Sequence, residues 1–183
     1  MRIIGGTAKG HAIKAPKGLD TRPTLDRVRE SVFNVLANRG IFGTDVLDIF
    51  SGTGAVAIEA LSRGAAHAVA VDFKTGRLIL ENAKHCRVDD RLEIIPRKLS
   101  QLKNYIVGRQ FDYIFSDPPY ESGFIQDTID LVVNHDLLKS EGILLLEHHK
   151  DEVFTLPESW ECIKEQKFGY TVVSYFVKIA ERS

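Results

Sequence analysis

The sequence predicts a doubly wound α/β protein: a mostly parallel sheet of seven strands, flanked by helices and ending in an antiparallel hairpin. Three observations carry that expectation. Short apolar runs alternate with helical stretches five times along the chain. Those runs lack polar alternation, as strands covered by helices on both faces do. Near the end, two β-rich segments are nearly adjacent across Gly169, which marks a hairpin at one sheet edge.

Residues 1–15 alternate around glycines (Ile3, Ile4, Gly5, Gly6, Gly10, Ile13) and are expected to form a short hairpin or extended arm. Pro16–Pro23 reads as a loop. From Thr24, a candidate N-cap with Asp26 in the first turn, Leu25, Val28, Val32, Phe33 and Leu36 fall at helical spacing until Gly40. The predicted strands are then Val46–Phe50, Ala68–Asp72, Leu92–Ile95, Phe111–Ser116 and Gly142–Glu147. Helices are expected over Ala55–Arg63, Thr75–Cys86, Leu99–Val107 and Phe124–Leu137, with a hairpin of Trp160–Lys167 and Tyr170–Ile179. The expected division is a basic N-terminal arm, 1–22, on a domain spanning 23–183.

A length of 183 residues, 44% hydrophobic and 27% charged, fits one globular domain and excludes disordered or fibrous classes. The densest apolar stretch, Ile143–Leu146, is four residues long, far short of the ~18 of a membrane span. The opening MRIIGGTAKG lacks the apolar core of a secretory signal, so the expected location is cytoplasmic. Cys86 and Cys162 match no metal or redox spacing and are expected as free thiols. Net charge is −1, but residues 1–39 hold eight Lys/Arg against three acids. That asymmetry suits either a polyanion partner, gripped through Lys9, Lys14, Lys17, Arg22 and Arg29, or a solvated charged face.

Asp48-Ile-Phe-Ser-Gly52-Thr-Gly54 stands where the first strand turns into a helix, and Asp72 ends the second strand 20 residues beyond Gly52. Glycines there admit a ligand close to backbone N–H groups, and a carboxylate at Asp72 suits ribose hydroxyls. A dinucleotide such as NAD fits the same spacing, as does a turn with no ligand. Asp48 favours S-adenosylmethionine, because an anion at the strand mouth repels a pyrophosphate but attracts sulfonium and ammonium charges.

Asp117-Pro118-Pro119-Tyr120 leaves the fourth strand beside that loop. Paired prolines stiffen the turn and remove backbone donors. Asp117 and the Pro118 carbonyl then form a rigid pair of acceptors, and Tyr120 offers a flat face. That set suits methylation of an exocyclic amino group, whose lone pair is delocalised until acceptors grip its N–H bonds and align it. Tyr120 would stack on the target base. The alternative is a Pro-Pro turn that merely caps a strand.

Asp48-x-x-x-Gly52-x-Gly54, Asp72 and Asp117-Pro-Pro-Tyr120, in that order, resemble class I S-adenosylmethionine-dependent amino-methyltransferases with their Rossmann-like fold. Ile3-Ile-Gly-Gly6 followed by Thr21-Arg-Pro-Thr24-x-Asp26-Arg-Val-Arg-Glu30-x-x-Phe33-Asn34 resembles the RsmD family, which methylates the N2 amino group of a guanine in bacterial 16S ribosomal RNA. The likeness runs from residue 3 to about 179. It implies that Asp48, Gly52 and Gly54 hold the methionine end of the cofactor, Asp72 with Phe73 the ribose side, and Asp117, Pro118, Pro119 and Tyr120 the target amino group. It also implies that the Thr24–Asn34 helix covers the cofactor, with Arg27 and Arg29 as cofactor or phosphate contacts. The implied partner is 16S rRNA or the assembling 30S subunit, with no membrane, no metal and a monomeric enzyme. One departure stands out: Arg97-Lys98-Leu99 occupies the place where relatives carry an Asp or Asn for the adenine amino group.

Among the remaining residues, His148-His149 reads as a polar strand end and Trp160 as a core or hairpin anchor, while Glu147 could face the crevice but reads more commonly as a surface strand-end carboxylate. The rival functions are DNA adenine or protein glutamine methylation through the same tetrapeptide, a catalytically silent RNA-binding assembly factor, and an NAD oxidoreductase.

Overall fold

A computed structural model of the chain describes residues 1–16, 23–120 and 123–181. Helix α1 (Pro23–Arg39) precedes an alternation of β1 (Asp45–Ile49), α2 (Ala55–Ser62), β2 (His67–Val71), α3 (Gly76–His85), β3 (Leu92–Ile95), α4 (Leu99–Ile106), β4 (Phe111–Ser116), α5 (Phe124–Asn134) and β5 (Leu138–His149). A hairpin of β6 (Trp160–Phe168) and β7 (Thr171–Lys178) closes the chain. The seven strands form one sheet in the order β3-β2-β1-β4-β5-β7-β6. The first five are mutually parallel, and β7 runs antiparallel to both β5 and β6.

Side-chain alternation along the strands divides the core into two layers. On one face, Val46, Ala68, Phe115 and Leu145 pack under α1, α2 and α3, with Phe33 stacked on Phe115 at 5.8 Å. On the other, Leu47, Ile49, Ile114 and Leu144 pack under α4 and α5. Trp160 is buried in this second layer, at the start of the hairpin it anchors.

Most element boundaries fall within two residues of expectation, and two differ by more. Helix α5 stops at Asn134 because Asp136 takes a left-handed φ of 49°. Strand β5 then starts at Leu138 rather than Gly142 and passes an irregularity in its pairing with β4 between Phe111 and Tyr113.

The N-terminal segment is no appendage, which corrects the expected division at residue 22. Arg2 bridges Ala12 in a tight antiparallel turn, and Ile3, Ala8 and Ile13 are buried in the first core layer. The fully buried Glu59 of α2 accepts N–H bonds from Ile4 and Gly5 at 2.9 and 2.8 Å and pairs with Arg63 at 2.9 Å. Gly6 lies against the end of α2 with φ +78°, so close that a Cβ would sit 1.8 Å from the Ser62 carbonyl oxygen. Only glycine fits. The Ile-Ile-Gly-Gly opening is thus a clamp onto α2.

Candidate active site

Connections reverse direction between β1 and β4, and the carboxyl ends of these neighbouring strands open the crevice where α/β sheets bind ligands. The turn after β1 is held from below by Asp48. Its Oδ2 accepts hydrogen bonds from Ser51 Oγ at 2.6 Å and from the Ala57 N–H at 3.2 Å. Phe50 takes a φ of 60° there, an uncommon conformation for an aromatic residue and one retained where surroundings enforce it. The two glycines serve different ends. At Gly52 (φ +60°) a Cβ would meet nothing within 4 Å, which leaves room for a ligand to touch backbone. At Gly54 (φ +83°) it would meet Ile79 at 3.0 Å, so this glycine lets α2 pack on α3.

Asp72 fastens the loop from the other side. One oxygen accepts the Gly52 N–H at 3.1 Å, and the other accepts the N–H groups of Lys74 and Thr75 at 2.9 and 3.2 Å. Phe73 follows, half exposed, with the ammonium groups of Lys74 and Lys98 5.0 and 5.4 Å from its ring centroid.

Asp48, Gly52 and Asp117 line a single cleft of about 300 Å³, with Val28, Val32 and Phe33 of α1 as an apolar wall. A second depression, about 450 Å³, lies at the opposite strand ends, where Arg109 and Glu93 pair at 2.9 Å; none of the motif residues reaches it.

Glu147 also lines the cleft, the less common of its two expected placements. Ser116 pairs with Leu146 in the β4–β5 register, so Asp117 and Glu147 emerge as neighbours. Their environment raises the proton affinity of the site. Burial pushes Asp48 up to about 7 against its two hydrogen bonds, with Asp117 and Asp72 adding to the rise. Asp117 is open to solvent inside the cleft yet hemmed in closely enough that poor solvation raises it to about 6. Burial first, then the Asp117 charge, push Glu147 to about 8; the two titrate as a pair. Ionising Asp48 here costs on the order of 4 kcal/mol more than in water, and a cation in the cleft offsets that cost. A pyrophosphate would add to it. The described residues hold no cluster of His, Cys, Asp and Glu fit for a metal.

Beyond β4, Pro118 is buried, and Tyr120 is exposed with its hydroxyl 3.2 Å from Thr171 Oγ1. His148 is a satisfied core histidine, its Nε2 2.8 Å from Ser174 Oγ. Of the residues expected at RNA, Lys9 and Lys14 are exposed, while Lys17 and Arg22 lie outside the described residues, as does the Thr24 side chain. Arg29 is buried at the cleft wall, donates to the Arg2 carbonyl and to Asp26, and stands 3.7 Å from Glu59. Arg27 is exposed on α1 and does not line the cleft.

Sheet order and loop placement put the chain among proteins of the class I methyltransferase fold. The solved structure of an Escherichia coli protein, yhhF, provisionally assigned as a methyltransferase, superposes with a TM-score of 0.87 at 31% identity, covering 99% of each chain. The chain belongs to the RsmD family, described as Conserved hypothetical protein 95, whose model matches residues 1–177. It is 30% identical to ribosomal RNA small subunit methyltransferase D of Escherichia coli K12, over 99% of this chain and 91% of that one. A Bacillus subtilis 168 protein, YlbH, provisionally assigned as an rRNA methyltransferase, is 32% identical over 97% of this chain and 99% of its own length.

Proposed function

We propose that this protein transfers a methyl group from S-adenosylmethionine to the exocyclic N2 amino group of a guanine in 16S ribosomal RNA during small-subunit assembly. The observation that carries the reading is that the Asp117 corner and the Gly52 loop open into one cleft. Relatives named as small-subunit rRNA methyltransferases along almost the whole chain support the substrate class.

The residues present fit the cofactor. Gly52 leaves backbone open to a ligand, and the carboxylates of Asp48 and Glu147 face the cleft where positive charge would offset their crowding. Bound S-adenosylmethionine supplies an electrophilic methyl on a sulfonium. Asp48 would hold its positive end, and Asp72 at the end of β2 would face the ribose. The adenine would lie near Phe73, where Lys98 replaces a carboxylate or amide, so no side-chain acceptor for its amino group is assigned there.

Asp117 and the Pro118 carbonyl would accept the two N–H bonds of the guanine amino group. That grip favours a pyramidal nitrogen and aims its lone pair. The acceleration then arises from alignment and electrostatics, and the amine need not lose a proton before it attacks. Tyr120 would cover the base once it is drawn out of the RNA stack. Lys9 and Lys14 on the clamped N-terminal turn would meet phosphates.

Mass mapping of modified nucleosides in 16S rRNA from a strain lacking the gene tests the proposal. One N2-methylguanosine should be absent, restored by the wild-type gene and not by Asp117→Ala. An unchanged nucleoside map overturns it.

A further inference from the structure

From Tyr120 of the Asp-Pro-Pro-Tyr corner a row of rings continues through His149 and Tyr170, two side chains that the proposed chemistry leaves unused. Tyr120 meets His149 edge to face, with ring centroids 6.1 Å apart at 90°. His149 in turn stacks on Tyr170 at 5.7 Å with planes within 7° of parallel. Tyr120 and Tyr170 are 67% and 68% exposed, although large aromatic side chains release most free energy when covered. The Lys150 ammonium sits 5.0 Å from the Tyr170 ring centroid.

The row is built on rigid backbone. His149 ends β5 opposite Thr171 of β7, and the Lys150 N–H donates to the Tyr170 carbonyl at 2.8 Å. Behind it, His148 packs on Phe154 at 5.0 Å and Phe154 on Phe176 at 5.7 Å. The Tyr120 hydroxyl reaches Thr171, so the corner and the hairpin tip are joined. Asp151 supplies an anion beside these rings, 3.6 Å from His149 Nδ1.

We infer that Tyr170 and His149 form a stacking platform for unpaired nucleotides flanking the target base, with Lys150 placed for the adjoining phosphate. The inference rests on the RNA substrate proposed above and extends it from one base to its neighbours. Exposed rings flanked by a cation are the elements that hold single-stranded RNA, because every base has a stackable face. A double helix presents no free base faces and would gain nothing from them.

The test uses the full-length protein and a fluorescein-labelled twelve-nucleotide oligo(rA), with affinity read by anisotropy at fixed salt. Tyr170→Ala and His149→Ala should each weaken binding about tenfold, and Tyr170→Trp should restore it. S-adenosylmethionine binding should not change, which shows that the variants are folded. Lys150→Gln should lower the salt slope by about 0.7. Wild-type affinity in both alanine variants, or no binding by the wild-type protein, overturns the platform. So does unchanged oligonucleotide binding with weakened binding to 30S particles, which would assign the surface to a ribosomal protein. Methylation of 16S rRNA by wild-type enzyme is measured separately: its presence with a failed platform sinks only the platform, and its absence with an intact platform sinks only the reaction.

Discussion

Asp117 follows the end of β4 and stands beside Glu147 of the neighbouring parallel strand β5, each one residue past the Ser116–Leu146 pair, and the charge of Asp117 raises the proton affinity of Glu147. With Asp48 they give the cleft three carboxyl groups, all shifted upward and all lining it. Crowded, poorly solvated anions of this kind destabilise the protein by themselves and bind a cation well. A cation in the cleft would offset that cost.

Cofactor affinity should therefore depend on pH. A cation favours the ionised carboxylates, so binding lowers their proton affinities and releases protons. Affinity should rise as pH increases through about 6 to 8 and fall by up to tenfold per pH unit for each proton displaced below that window. Calorimetry in buffers of different ionisation enthalpy counts the protons directly. Flat affinity between pH 5.5 and 8.5 would show that these groups do not meet the cofactor's charge.

Asp117→Asn separates binding from turnover. The amide removes a charged acceptor of the target amino group while keeping its shape, and turnover should fall by at least about 100-fold. Cofactor affinity should fall far less than turnover, since Asp48, Glu147 and the Gly52 loop still meet the cofactor. Loss of binding with retained turnover would reverse the assignments of Asp48 and Asp117.

Glu147→Gln should stabilise the ligand-free protein progressively more as pH rises above about 4.5, and most above about 8. The folded-state proton affinity of Glu147 is raised from the ordinary 4.5 to about 8. Its penalty is thus absent below pH 4.5, grows as pH rises, and is complete above about 8. Melting at pH 8.5 should rise by about 2–4 °C, the size that ~1 kcal/mol produces in a chain of this length. At pH 4 the two proteins should melt together. An equal gain at both pH values would mean that the substitution acts through packing, not charge.

The paired strands, the glycine loop and the Asp-Pro-Pro-Tyr corner were legible because each is written in local spacing. Glu147 was not, because its place beside Asp117 depends on register, and the irregularity between Phe111 and Tyr113 shifts β5 in a way no local pattern records. The burial of Arg29 was hidden for a related reason. Charge counting treats every arginine as solvated, yet this one has a buried carboxylate, Glu59, waiting 30 residues further along the chain. The N-terminal glycines signalled a turn correctly, but what they turn against, the end of α2, is a long-range contact.

That contact makes Gly6→Ala a severe change. A methyl group would fall 1.8 Å from the Ser62 carbonyl oxygen at a backbone angle that alanine disfavours. Either α2 or the N-terminal turn must move, at a cost of several kcal/mol. Gly10→Ala is the control: its φ is also positive, but its Cβ would meet nothing within 4 Å, so only ~1 kcal/mol is expected. Urea denaturation of the two variants ranks them, and equal losses would show that the clamp contributes nothing beyond backbone strain.

The same turn carries the charges assigned to RNA. Lys9 is exposed, and Lys14 reaches Glu81 only at 3.8 Å with both side chains in solvent, a pair worth too little to hold the lysine from a phosphate. Each phosphate contact contributes a slope of about 0.7–0.9 in log affinity against log salt. Lys9→Gln combined with Lys14→Gln should flatten the salt dependence of RNA binding by roughly 1.5 and weaken binding similarly across RNA sequences. Melting should be unchanged, because the Lys14 N–H bond to Asn82 is a backbone contact that the substitution keeps. A double variant with the wild-type slope would move the phosphate grip away from the N-terminal turn, leaving the cleft residues and the aromatic row to account for RNA affinity.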